Sequence, residues 1–220
     1  MGWEDTREAI VEACHRLEAI DLVQGASGNV SVRLPPHEGR EIVAITPSQV
    51  PYRVLRPEQV LVIDFERKVI DGEGVPSSET NAHLTTYRSR ADVGAVIHSH
   101  SPYASALAVA GLDLPPVLDE MVVAVGGPVR CAEFGMSASQ QLADNAMAAM
   151  EQRMAVFLRQ HGVLVAGRDL EEAINVAAIV ERTSKIYLLA RSLAEVKPLP
   201  EQIVAIEEKF YKAKHGFPVE

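Results

Sequence analysis

Apolar residues at Ile10, Ala13, Leu17 and Ile20 recur every three or four positions. That is the period of a helix with one buried face, so the spacing predicts a first helix ending near Asp21. Asp5 followed by Glu8 predicts a capping box at its start. After it the pattern changes. Short β-like runs at 29–33, 41–46 and 60–65 are separated by Gly, Pro and polar residues that favour turns, which predicts antiparallel strands.

Ser77 and Ser78 stand as caps before a helix-compatible run from Glu79 to Arg90, and 92–98 reads as a buried strand. Pro102 to Ala110 predicts a short helix closed by Gly111. Ser137 and Gln140 predict a capping box for a helix carrying Leu142, Ala146 and Met150. Strands at 155–159 and 163–165 flank Gln160-His161-Gly162. Asp169 and Glu172 then predict the cap of the longest helix, with Ala173, Val176, Val180 and Tyr187 on its apolar face. The expected class is α/β, with helices flanking a largely antiparallel sheet. No repeat or linker divides the chain, so a single domain over 1–220 is expected, with a tail free to move after Leu199.

Composition narrows the functions. The 220 residues are 47% hydrophobic and 23% charged, the balance of a globular chain. A net charge of −9 without a Lys/Arg cluster argues against nucleic acid as a partner. No run reaches the roughly 18 apolar residues of a membrane span, and the acidic start (Glu4, Asp5) lacks a secretion-signal layout, so a cytoplasmic location without membrane partners is expected. Cys14 and Cys131 are far apart and do not suggest a disulfide framework; Cys14 fits a helix core position.

The chemistry sits in the histidines. Side chains alternate along a strand, so His98 and His100 project from one face and suit a metal pair, although two polar strand-end histidines fit equally. A catalytic zinc needs a third ligand and an open position. His161 offers that ligand at another strand end, where Gly162 lets the backbone pass close; a simple turn is the competing explanation. His15, His37 and His215 lack ligand-spaced partners and read as surface or packing residues. His83 lies four residues after Glu79 on one helix face and reads as a packing or supporting residue. Pro76-Ser77-Ser78-Glu79 places hydroxyls and a carboxylate at a helix start, and Gly25-Ala26-Ser27-Gly28-Asn29 is a glycine-rich loop. Each suits an anion, and each also fits an ordinary cap or loop.

These pieces follow one order: Ser-Gly-Asn-Val-Ser at 27–31, Thr-Pro-Ser at 46–48, Pro-Ser-Ser-Glu at 76–79, His-Ser-His at 98–100 and His-Gly at 161–162. The order extends to Gly-Arg-Asp-Leu-Glu-Glu-Ala at 167–173 and resembles the class II aldolase/adducin family, whose members include sugar-phosphate aldolases and 4-epimerases. The resemblance implies a three-layer α/β/α fold and a cyclic homotetramer with active sites between subunits. It also implies Zn2+, or another divalent ion such as Mn2+ or Co2+, on His98, His100 and His161. Glu79 would bind the metal in the empty site and act as acid/base once substrate arrives. Gly28, Asn29, Ser48, Ser77 and Ser78 would hold the substrate phosphate. The implied reaction is reversible cleavage of a ketose 1-phosphate, of the L-fuculose 1-phosphate kind, into dihydroxyacetone phosphate and an aldehyde through a metal-stabilised enediolate.

The chain departs from that pattern at Ala26 and Gln49, where the aldolase has threonine and glycine in its phosphate pocket. Glu120 stands in place of a tyrosine supplied by a neighbouring subunit, and the C-terminal tyrosine has only an offset counterpart in Tyr211. Glu120 is therefore either a proton-transfer group or a structural ion-pair partner. A decarboxylase or 4-epimerase on the same scaffold is one alternative function. A non-catalytic interaction domain like the adducin head is another, and the retained histidines and Glu79 argue against it.

Overall fold

The computed structural model describes residues 3–219. Its elements are α1 (Trp3–Ala19), β1 (Gly28–His37), β2 (Arg40–Ile45), β3 (Leu61–Asp64), β4 (Val69–Asp71), α2 (Thr80–Ser89), β5 (Ala95–Ser99), α3 (Pro102–Ala110), α4 (Asp119–Val125), β6 (Arg130–Cys131), α5 (Gln140–Met150), β7 (Ala155–Leu158), β8 (Gly162–Gly167), α6 (Leu170–Leu193) and α7 (Glu201–His215). One eight-stranded sheet runs in the order β4-β3-β2-β1-β5-β8-β7-β6. Every strand pair is antiparallel except β6 with β7.

Helices cover both faces of this sheet. On one side α1 meets β1 and β2, α6 meets β5, β7 and β8, and α3 meets β7 and β8. On the other, α2 packs on α5, and α5 packs on β6 and β7. The layering explains why every residue of β5 and β8 is buried: a strand between two helix layers has no solvent face, so alternation gives way to a continuous apolar run. The expected mixed α/β class with a mostly antiparallel sheet is what the chain forms. Among the described residues no helix is long and apolar enough to cross a membrane.

Several boundaries differ from expectation for local reasons. α1 already includes Trp3, so Asp5 lies in its first turn and is not a cap. The strand expected at 92–98 starts only at Ala95, just after Gly94, where a Cβ would lie 2.1 Å from the Arg168 carbonyl oxygen. The cap of α5 is Ser139, whose Oγ accepts from Leu142 N at 3.1 Å, and not Ser137. α4, β4 and β6 were not anticipated: they are short, and α4 is apolar at Met121, Val122, Ala124 and Val125, which hides a helical period. Past Leu199, where a tail is expected, the chain forms α7 and packs it on α4. Tyr211 anchors that helix: it is buried over Gly126, where a Cβ would lie 2.5 Å from its ring, and its hydroxyl donates to the Gln152 carbonyl.

Candidate active site

Pairing between strands assembles the site at one end of β1 and β5. The β1–β5 register sets Gly28 opposite Ser99 and Asn29 opposite His98, so residues far apart in sequence share one strand end. Thr46 gathers the other segments. Its N–H donates to Val30 O at 3.0 Å, its Oγ1 accepts from Val30 N at 3.2 Å, and its carbonyl accepts from Ser77 N at 3.1 Å. A bridge between Pro47 and Pro76, with Ser48 N donating to Val75 O, continues the contact. The stretches 27–31, 46–48 and 76–79 are thereby held side by side.

His161 arrives through the β7–β8 hairpin, whose loop turns at Gln160 with φ of +56°. Gly162 follows because nothing larger fits: a Cβ there would lie 2.5 Å from Ser99 O, 2.9 Å from the His100 ring and 3.2 Å from the His98 ring. The three imidazoles meet with ring centroids 4.8, 4.8 and 4.9 Å apart. Glu79 completes the group, and one ligand atom from each of the four residues lies within 4.8 Å of all the others. The burial is graded. His98 and Glu79 are buried, His161 is partly buried and His100 is exposed, so the cluster opens toward solvent on the His100 side.

The hydrogen bonds determine what this cluster accepts. His98 Nδ1 lies 2.9 Å from the carbonyl of Val163, which only accepts, so Nδ1 carries the proton. In the neutral ring, Nε2 is then a bare lone pair, and it points at Glu79 Oε2 at 2.8 Å and His100 Nε2 at 2.9 Å. Glu79 Oε1 lies 3.1 Å from His161 Nε2. Lone pairs facing one another need a proton or a metal ion between them. A divalent ion meets that need with borderline imidazole ligands and one oxygen donor, so the donor set fits a zinc-type site.

Electrostatics keep the ligands in their binding forms. Burial raises the Glu79 pKa, but the hydrogen bond and charge that His98 supplies when protonated, then the charge of His161 and the Ser137 hydroxyl, outweigh it and hold the carboxylate well below its usual range. Burial and the neighbouring imidazoles push His100 down to about 4 despite the opposing pull of Glu79. His161 is lowered by burial and by His98. His100 and His161 held toward their neutral forms beside a carboxylate held toward its ionised form match the protonation states that metal binding requires.

Residues 8–188 match the family model described as Class II Aldolase and Adducin N-terminal domain. The chain belongs to the class II aldolase family. It is 38% identical to 5-deoxy-D-ribulose 1-phosphate aldolase of Bacillus thuringiensis serovar kurstaki, over 89% of this chain and 90% of that one. It is 30% identical to L-fuculose phosphate aldolase of Escherichia coli, over 91% of this chain and 92% of that one. A solved L-fuculose 1-phosphate aldolase superposes with a TM-score of 0.88 at 35% identity, covering 94% of this chain and 96% of that one. The chain is thus a class II aldolase, a metal-dependent type of carbon–carbon lyase.

The residues expected at the aldolase site lie as follows. Glu79, His98, His100 and His161 converge, and Asn29 is buried beside them with Nδ2 donating to Glu79 Oε2 at 3.3 Å. Gly28 has no room for a side chain, since a Cβ would meet His98 O at 2.8 Å. Ser77 is buried and its Oγ accepts from Glu79 N at 3.3 Å, whereas Ser78 is exposed and Ser48 partly so. Glu79, not a serine, occupies the cap position of α2, and its side chain makes no cap bond.

Two features of this aldolase escaped the sequence. Ser137 donates to Glu79 Oε1 at 2.8 Å, a role concealed because Ser137-Gln140 has the spacing of a helix cap. The partners of His83 lie on β1, where no local spacing points to them. Of the departures, Glu120 is ion-paired with Arg182 of α6, and Tyr211 is committed to the core. Ala26 and Gln49 are exposed, Gln49 with φ of +62°.

Proposed function

We propose that this aldolase reversibly cleaves a ketose 1-phosphate into dihydroxyacetone phosphate and an aldehyde. The observation that carries the reading is the meeting of three imidazoles with the Glu79 carboxylate at an open strand end. Relatives named for 5-deoxy-D-ribulose 1-phosphate and L-fuculose phosphate support the substrate class.

In this reading His98, His100 and His161 hold a divalent ion, with zinc the preferred candidate. When bound, such an ion supplies Lewis-acid stabilisation for the negative charge that develops on substrate oxygens as the carbon–carbon bond breaks. Glu79 is the acid/base. It takes the hydroxyl proton as the bond breaks and returns a proton to the new carbanion, and Ser137 and Asn29 orient its two oxygens. Val163 fixes the His98 tautomer through Nδ1. Gly28, Asn29, Ser48, Ser77 and Ser78 form the phosphate cradle, in which Gly28 lets backbone approach closely and Ser77 and Ser78 add hydroxyls. Subunits are proposed to assemble as a homotetramer, in the cytoplasm.

The test is to strip the protein with a chelator, restore zinc, manganese or cobalt separately, and supply a panel of ketose 1-phosphates. Dihydroxyacetone phosphate, carbon dioxide and epimerised sugar are then measured in parallel. Dihydroxyacetone phosphate that disappears on chelation and returns with metal is expected. Carbon dioxide or epimer alone rejects the cleavage reaction, and turnover in stripped protein rejects the role of the metal.

A further inference from the structure

Behind the site a second, fully enclosed set of polar groups runs from the α2 layer to Glu79. His83 and Ser31 are 0% exposed, Tyr87 2% and Asn29 4%. His83 Nδ1 lies 2.6 Å from Ser31 Oγ, and His83 Nε2 lies 2.5 Å from Asn29 Oδ1. Tyr87 reaches Ser31 twice, at 2.8 Å from Oγ and 3.0 Å from the carbonyl.

The direction of every bond follows from its last member. Glu79 as a carboxylate offers only acceptors, so Asn29 must present Nδ2 to it. Asn29 Oδ1 then faces His83 and needs a donor, which places the His83 proton on Nε2. Nδ1 accepts from the Ser31 hydroxyl, and Ser31 in turn accepts from Tyr87. Burial, the largest cause, lowers His83 to about 3, which keeps the ring neutral with one donor and one acceptor.

Stability alone gives little reason for this arrangement, because a buried polar network replaced by well-packed apolar residues is often neutral or more stable. What the network adds is one orientation of one amide. We propose that His83 is a positioning residue that locks Asn29 with both Nδ2 hydrogens turned to the site, one holding Glu79 Oε2 and the other left for the substrate's anionic group. If Asn29 flipped, Oδ1 would stand against the Glu79 carboxylate and against the incoming phosphate. The substrate half of this inference rests on the ketose 1-phosphate reading; the tautomer half does not.

The experiment has two arms on the zinc-loaded enzyme. Ring 15N NMR of histidine-labelled protein, with His83→Gln identifying the His83 signals, reads the tautomer without turnover. A neutral ring protonated on Nε2 from about pH 5 to about pH 8 is expected, and a ring protonated on Nδ1, or on both nitrogens, overturns the inference. Kinetics supply the second arm. His83→Met keeps the volume but frees Asn29, so KM for the ketose 1-phosphate should rise and kcat fall by roughly tenfold each, the worth of one charge-assisted hydrogen bond, with metal content unchanged. His83→Gln can still donate to Asn29 and accept from Ser31, and should return both constants to within about threefold of wild type. Ser31→Ala loses the hydroxyl that faces His83 Nδ1, and should fall between the two. Wild-type constants in the Met variant, or equal losses in the Met and Gln variants, overturn the positioning role. If the wild type cleaves no ketose 1-phosphate, the proposed function fails while the NMR arm still decides the role of His83.

Discussion

Two helices of this enzyme start behind an acidic residue, and the two carboxylates do opposite things. Before α6, Asp169 turns back on its own helix: Oδ1 accepts from Glu172 N at 2.8 Å, and Glu172 Oε2 accepts from Arg168 N at 2.9 Å. Both contacts are local: Asp169 caps the helix, and Glu172 reaches back to the residue before the cap. Before α2, Glu79 makes no cap bond. Its oxygens go to His98, His161, Ser137 and Asn29, residues from four other parts of the chain. The first turn of α2 is completed without it, by Thr80 N donating to Ser77 O at 3.2 Å and Thr80 Oγ1 to the same carbonyl at 2.6 Å. A carboxylate withdrawn from its helix and buried among imidazoles is held there for chemistry, because local stability would have used it otherwise.

The contrast is broken most severely at Glu79. Glu79→Gln keeps the shape and removes the proposed acid/base, so kcat for ketose 1-phosphate cleavage should fall by about 10²–10⁴-fold. Since Glu79 makes no cap bond, thermal unfolding of the variant should show no loss of α2 stability. A variant within threefold of wild-type turnover would remove Glu79 from the reaction.

Gly162 tests whether the convergence of the imidazoles depends on backbone contact. In Gly162→Ala the added methyl would lie 2.5 Å from Ser99 O and 2.9 Å from the His100 ring, so β8 and the His161 hairpin must shift. Overpacking of this kind costs about 1–3 kcal/mol, and a displacement near 1 Å at a catalytic group costs about 10²-fold in rate. Both losses should appear together, with weaker metal retention on dialysis against a chelator. Unchanged metal affinity would show that the site tolerates separation of β8 from β5.

The same distinction between local and distant partners explains what could be read from the sequence. The ends of α3 and the cap of α6 were legible because their signals lie within a few residues: Pro102 at the start, Gly111 at φ of +67° at the end, Asp169 with Glu172. The convergence of Glu79, His98, His100 and His161 was legible through resemblance, since the three histidines carry only weak signals singly. Ser137 was not, because its helix-cap spacing is real in outline yet Ser139 takes the cap and Ser137 turns to Glu79. α4 and α7 were missed for a related reason. α4 is apolar throughout much of its length, and α7 depends on Tyr211 settling over Gly126, a contact between residues far apart in sequence.

The mildest test lies on the other side of the comparison. Asp169→Ala removes a cap that serves only α6, and loss of such a cap costs about 1 kcal/mol. The cost should be confined to stability, because the start of α6 lies beside β5 and β8, whose positions are fixed independently by pairing with β1 and β7. Denaturant unfolding should therefore move to a lower midpoint with an unchanged slope, while kcat and KM stay within about twofold of wild type. The pairing of Glu172 with Lys214 at 2.6 Å persists in the variant and limits fraying of the α6 start. Should Asp169→Ala instead impair turnover as strongly as Glu79→Gln, the division between a carboxylate serving its helix and one serving the site would not hold.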